Sequence, residues 1–152
     1  MSVFVDTSAL YALLNRNDEF HPDAAAWWAD RLPAGERGIF TSEWVVLETG
    51  TILQRRLGAA GVRALRDGLL PVIDVLAVGS SVRDAALAAV IDSGSRRVSL
   101  VDRASFELMR RRAIGDAFSF DPDFRTAGFR TVPGEIPDET RTEAGGETVA
   151  GD

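Results

Sequence analysis

Four carboxylates stand where an apolar segment ends or a helix turns inward: Asp6 in VFVDTSA, Glu48 in WVVLETG, Asp102 in SLVDRAS and Asp121 in FSFDPDF. A charge at such a place has to be compensated. A divalent cation compensates several acids at once. Acidic oxygens drawn from distant parts of a chain suit Mg²⁺ or Mn²⁺, and those ions suit phosphodiester hydrolysis. The 152-residue chain has no cysteine and a single histidine, His21, which excludes thiolate nucleophiles, disulfides, sulfur-bound zinc and multi-histidine metal sites. Oxygen ligands are what remain.

Each acid also has an ordinary reading. Asp6 could be a turn residue assisting a Ser8 helix cap, Asp102 the acidic partner of Ser99 in a capping box, and Asp121 the first residue of an Asp-Pro-Asp turn. Glu48 is harder to place that way. It lies three after Val45 and four before Ile52, which puts it on their inward helix face. Arg55 and Arg56 are about two turns away, beyond the reach of three or four residues at which helix pairs form. A salt bridge to a distant arginine is its structural alternative.

The elements that must position these acids alternate. Val3 to Val5 read as a strand ending at Asp6, and Ser8 opens a helix through Leu10, Leu13 and Leu14. A second helix starts at Pro22, carries Trp27, Trp28 and Leu32, and is closed by Pro33 and Gly35. Ile39 and Phe40 make a strand, Ser42 starts a helix that Gly58 ends, and a fourth helix spans Ala60 to Leu70. Val72 to Leu76 suggest a strand, Ser81 to Ile91 a helix, and Ser99 to Ala113 another. Ala117 to Phe120 and Gly128 to Val132 complete the strands. This alternation implies a parallel sheet covered on both faces, whose sites lie outside the carboxyl ends of its strands.

The chain has 45% hydrophobic residues and a mean hydropathy of -0.01, the composition of one soluble domain. No apolar run approaches the roughly 18 residues needed to span a bilayer, and no basic leader precedes the first strand, so a cytoplasmic location and no membrane partner are expected. Of the net charge of -6, the segment from Gly134 to Asp152 carries -5. That segment has almost no apolar anchors and is expected to be a disordered acidic tail, leaving residues 1–133 as the domain. All 17 basic residues are arginine, each a planar fork suited to phosphate. The near-neutral body neither demands nor excludes RNA.

The segments VFVDTSALYALL, SEWVVLETGTIL and LVDRASFELMRRRAIGDAFSFDPDFRTAGFRTV resemble those of PIN-domain nucleases, and among them the VapC toxins of bacterial toxin-antitoxin pairs. The resemblance covers residues 1–133. It implies a three-layer α/β/α fold with a short central parallel sheet, and RNA hydrolysis that depends on Mg²⁺ or Mn²⁺ and leaves a 3′-hydroxyl. A VapB-like antitoxin and a homodimer are the partners it implies. Carried over by motif, Asp6, Asp102 and Asp121 hold the principal metal, with Asp123 a rival for the last place, and Glu48 orients the attacking water or helps hold a second ion. Thr7, Ser8 and Ser119 match small hydroxyl positions near such sites.

Arg96, Arg97 and Arg110 to Arg112 flank Asp102 and could form a basic rim that positions phosphates. Glu107 sits four from both Arg103 and Arg111, so an ion-pair ladder competes for those two. Trp27 and Trp28 cannot both face inward on one helix, and one is expected at the rim or against a partner. Among other classes, a haloacid-dehalogenase-type site wants an aspartate where Ser8 stands, and a receiver domain wants a lysine, which the chain lacks. The alternative that remains is a non-catalytic PIN-like module binding RNA or protein.

Overall fold

The computed structural model describes residues 2–31 and 38–134. Five strands form one parallel sheet: β1 (Val3–Val5), β2 (Ile39–Ser42), β3 (Asp74–Leu76), β4 (Asp116–Phe118) and β5 (Arg130–Val132). Their spatial order is β3-β2-β1-β4-β5. All three residues of β1 are buried, as a central parallel strand covered on both faces requires. Phe4 faces Phe40 on one side and Ala117 on the other, so register is set at the apolar centre. At the edge, the Asp116 carboxylate pairs with Arg130 at 2.7 Å across the β4–β5 register.

Six helices flank the sheet: α1 (Thr7–Leu14), α2 (His21–Arg31), α3 (Glu43–Ala64), α4 (Ser80–Ser93), α5 (Leu100–Arg111) and α6 (Pro122–Thr126). The main core joins β1, β4 and all helices but α4 through Phe4, Leu10, Trp28, Leu53, Phe106, Phe118 and Phe124. A smaller cluster of Val82, Ala86, Ala104 and Leu108 seats α4 on α5. Among the described residues no helix is long and apolar enough to cross a membrane.

Several elements differ from the sequence expectation for local reasons. Asp6, not Ser8, caps α1, because the carboxylate at the strand end accepts the Ser8 N–H at 3.3 Å. Gly58 (φ 68°, ψ -160°) breaks the helical backbone inside α3 where one helix was expected to end and the next to begin, but the second segment stops at Ala64 rather than Leu70, and the chain continues through a wide turn at Leu65–Leu69 and a tight one at Leu70–Val72. Only glycine adopts such a backbone at low cost. The Asp-Pro-Asp turn is a five-residue helix, α6, with Asp121 as cap and Pro122 in the first turn. The expected closure of α2 at Leu32, Pro33 and Gly35, and the acidic tail beyond Gly134, lie outside the described residues.

Candidate active site

The strand order reverses direction at β1 and β4, and their carboxyl ends open the crevice where ligands bind in such sheets. Asp6 follows β1 directly, and Ser119 to Asp121 follow β4. Asp6 is 3% exposed. Its Oδ2 accepts hydrogen bonds from the Ser8 hydroxyl at 2.8 Å, the Ser119 hydroxyl at 3.0 Å and the Ser8 N–H. Ser8 Oγ in turn accepts from the Phe120 N–H at 3.0 Å, and Ser119 Oγ from the Asp121 N–H at 3.0 Å. Two hydroxyls therefore tie the loop after β4 to the acid after β1. Even so, burial pushes the Asp6 carboxyl up to about 6, against the opposing pull of these bonds.

Asp102 enters from α5. The Ser99 hydroxyl accepts its N–H at 3.1 Å, which fixes the first turn and leaves the carboxylate at the crevice. Burial first, then the charges of Asp6, Asp121 and Glu48, push its carboxyl up to about 7. Asp102 thus feels the charge of three other acids across the crevice. The tightest group is Asp102, Asp121 and Asp123, each with a carboxylate oxygen within 4.8 Å of the others. Asp6 and Glu48 stand outside that triplet and act on Asp102 through charge. Asp121 and Asp123 are linked by the Asp123 N–H donating to Asp121 Oδ1 at 2.9 Å.

Glu48 does not share the fully buried stripe of α3, which runs through Val45, Thr49 and Leu53. It sits half-buried on the shoulder of that stripe, next to the acids, and among the described residues no arginine pairs with it. Its helix is instead anchored by Arg56, whose guanidinium donates to the Tyr11 hydroxyl at 3.3 Å. The hydroxyl of Thr7, also expected near the acids, is buried without a hydrogen-bond partner.

Of the expected basic rim, Arg97 reaches the site and pairs with Asp123 at 3.2 Å. Arg111 is taken up by Glu107 at 2.8 Å and by Ser81, which is half of the expected ion-pair ladder, since the Arg103 Nε is buried without a hydrogen-bond partner. Arg110 lies over the Phe129 ring. Arg96 and Arg112 are exposed. The donor set fits a hard divalent cation: every group is a carboxylate oxygen, three converge, and the charge that burial and repulsion leave uncompensated is negative.

Sequence reasoning did not find the aromatic wall beside these acids. Phe20, just before α2, stacks on Phe120, just after β4, with ring centroids 4.6 Å apart and 10° between planes. Both tryptophans reach the same core ring, since Trp27 lies 4.3 Å and Trp28 6.4 Å from Phe118. Trp28 is buried and Trp27 half-buried, so the expected outward ring is the rim of this wall. The spacing of Phe20 and Trp27, seven apart, was the signal available.

A five-stranded parallel sheet with acids gathered at its central crevice defines a PIN-type α/β protein, and the PIN domain family model matches residues 3–130. The chain belongs to the PIN domain family. Within it, the chain is 38% identical over 131 residues to the 23S rRNA-specific endonuclease VapC20 of Mycobacterium tuberculosis, covering 86% of this chain and 97% of that protein. The crystal structure of VapC20, described as a Sarcin-Ricin loop cleaving toxin, superposes with a TM-score of 0.76 at 36% identity over 84% of this chain and 96% of that one. FitAcB from Neisseria gonorrhoeae, at 13% identity and a TM-score of 0.62 over 85% of this chain and 95% of that one, shares the fold.

Proposed function

We propose that the protein is a metal-dependent endoribonuclease and the toxin of a toxin-antitoxin pair, acting on ribosomal RNA. The observation that carries this reading is the convergence of Asp102, Asp121 and Asp123 beside the buried Asp6 at the β1–β4 crevice. The likeness to VapC20 over nearly its whole length supports the substrate class. Asp6, Asp102 and Asp121 would hold Mg²⁺ or Mn²⁺, with Asp123 or Glu48 completing the set. When bound, the ion would lower the pKa of a water and offset charge developing on the phosphate.

The protein's own groups supply the rest. Ser8 and Ser119 fix the Asp6 carboxylate by their hydroxyls, so that it need not reorganise during the reaction. Arg97 holds Asp123 while remaining largely exposed, a place from which it can also meet the RNA backbone. Glu48, half-buried and without an arginine partner among the described residues, would accept the proton of an attacking water. A VapB-like antitoxin, a homodimer, a cytoplasmic location and a domain of residues 1–133 complete the proposal.

The test is cleavage of pooled RNA with Mg²⁺ and with Mn²⁺. Cutting within ribosomal RNA is expected, with Asp6→Asn reducing it more than about a hundredfold, above the effect of losing an outer partner of a metal ligand. No cleavage with either ion would favour a non-catalytic module, and full activity of Asp6→Asn would remove Asp6 from the site.

A further inference from the structure

Beside the acids opens a cleft of about 600 Å³, within the range of sites for small ligands. Ser119 and Asp121 belong to both the acid site and this cleft. Whatever has a phosphate at the acids therefore has its neighbouring group directed along this wall. The wall is aromatic: Phe20 is backed by Phe120 in a parallel stack yet remains 37% exposed, and Trp27 stands half-buried further along. A ring already held on one face, with surface left open, is a platform for another flat ring.

The polar groups of the cleft indicate which ring. Asp23 lies three after Phe20 and four before Trp27, so the three share one face at the start of α2. Asp23 is exposed, and its carboxylate offers two acceptor oxygens side by side. Of the four RNA bases only guanine presents two adjacent donors, N1–H and N2–H, on its Watson–Crick edge. Adenine, cytosine and uracil each set one donor beside an acceptor. The lining carries three acids, Asp23, Asp30 and Asp121, against one arginine, Arg125, whose guanidinium is held by the Thr131 hydroxyl at 3.0 Å, so the cleft is net negative and the uncharged base suits it better than the backbone.

We propose that the cleft between α2 and the loop after β4 takes an unstacked guanine next to the scissile phosphate, stacked on Phe20 and read by Asp23. This rests on the nuclease reading for its biological meaning. Such recognition is available only where the RNA is single-stranded or splayed, because a base inside a helix offers neither its face nor that edge.

Two measurements test it. In chelator, guanosine, adenosine, cytidine and uridine are titrated against the full chain while tryptophan fluorescence is followed, Trp27 being the one of the three tryptophans that lines the cleft. Guanosine should bind at least about tenfold more tightly than uridine, and Phe20→Leu, which keeps apolar bulk without an aromatic face, should weaken it about tenfold. Asp23→Asn, a surface change, should erase the preference for guanosine. In the second measurement, cleavage sites in pooled RNA with Mn²⁺ should carry guanine on one side, and Asp23→Asn should still cut while that preference drops about tenfold or more. Equal binding of all four nucleosides, or cleavage sites unchanged in both variants, would overturn the proposal and leave the cleft to a basic side chain of a protein partner. Guanosine binding that responds to Phe20→Leu and Asp23→Asn in a protein that cuts no RNA would sustain the base site while removing the nuclease reading.

Discussion

The two sides of the crevice are built on opposite terms. On the β1 side, Asp6 is nearly sealed, but two hydroxyls and an N–H converge on its Oδ2. On the α5–α6 side, Asp102 faces Asp6, Asp121 and Glu48, all negative, and the cation recorded against an acid there is Arg97 on Asp123. Hydrogen bonds fix where a carboxylate points without removing its charge. The first side is thus oriented by the protein, and the second is left for something positive to complete. Asp6 is tied into the framework, whereas Asp102 is held against the charges of its neighbours, which costs stability in the absence of a cation.

The largest consequence is a pH dependence of the metal-free protein. Burial, joined at Asp102 by the neighbouring charges, pushes the Asp6 and Asp102 carboxyls up to about 6 and about 7 in the folded chain, well above the ordinary aspartate range. The folded state therefore holds protons that the unfolded state has released. The stability this gives is full below pH about 4 and is lost as pH rises to about 7, on the order of 3 kcal/mol from Asp6 alone. Melting in chelator should fall over that window, and Asp102→Asn should flatten its upper half. A metal-free melting temperature that rises steadily from pH 4.5 to 7.5 would mean the acids are compensated within the protein.

The cation reverses the balance on the second side. Mn²⁺ at about a hundred times its dissociation constant should raise wild-type stability by about 2.7 kcal/mol at neutral pH, since it binds the folded site. Asp102→Asn should gain far less, read as the shift in melting temperature on titration. Equal shifts in the two proteins would place the ion elsewhere and dissolve the contrast between the two sides.

The contrast was half legible in the sequence. Asp6, Asp102 and Asp121 could be read because each ends a run whose period is plain, and a charge there violates burial. The order β3-β2-β1-β4-β5, which makes β1 and β4 neighbours, followed only loosely from alternation, since strands of three residues carry little pattern. Glu48 was placed on the right helix but one shoulder off, because Thr49, a polar residue, takes the buried position through Val45 and Leu53. That Asp6 caps α1 was masked by Ser8, an equally good cap by type that lies two residues further on. The Phe20–Phe120 stack joins residues 100 apart and rests on tertiary packing that no local spacing encodes.

On the oriented side, Ser8→Ala sharpens what the hydroxyls do. It removes the 2.8 Å bond to Asp6 and strands the Phe120 N–H, costing about 1–2 kcal/mol of stability. It should also lift the Asp6 carboxyl further and shift the pH window upward while leaving the Mn²⁺ gain largely intact. A loss of Mn²⁺ response as large as that of Asp102→Asn would show that orientation, not charge, limits the site.

The smallest expected effect falls on Glu48, and it decides which side of the comparison that residue belongs to. Half-buried and, among the described residues, without an arginine partner, Glu48 raises the Asp102 carboxyl through its charge. Glu48→Gln in chelator should change stability by no more than about 0.5 kcal/mol, toward the more stable direction, because a repulsion is relieved and no pair is broken. A loss above about 1 kcal/mol would mark it as part of the framework, like Asp6. The response to Mn²⁺ then divides the two roles open to it. A gain reduced well below wild type would make Glu48 a ligand. An unchanged gain with cleavage lowered and its pH profile altered would make it a group that handles the proton of the attacking water, because removing such a base changes the reaction without weakening the ion.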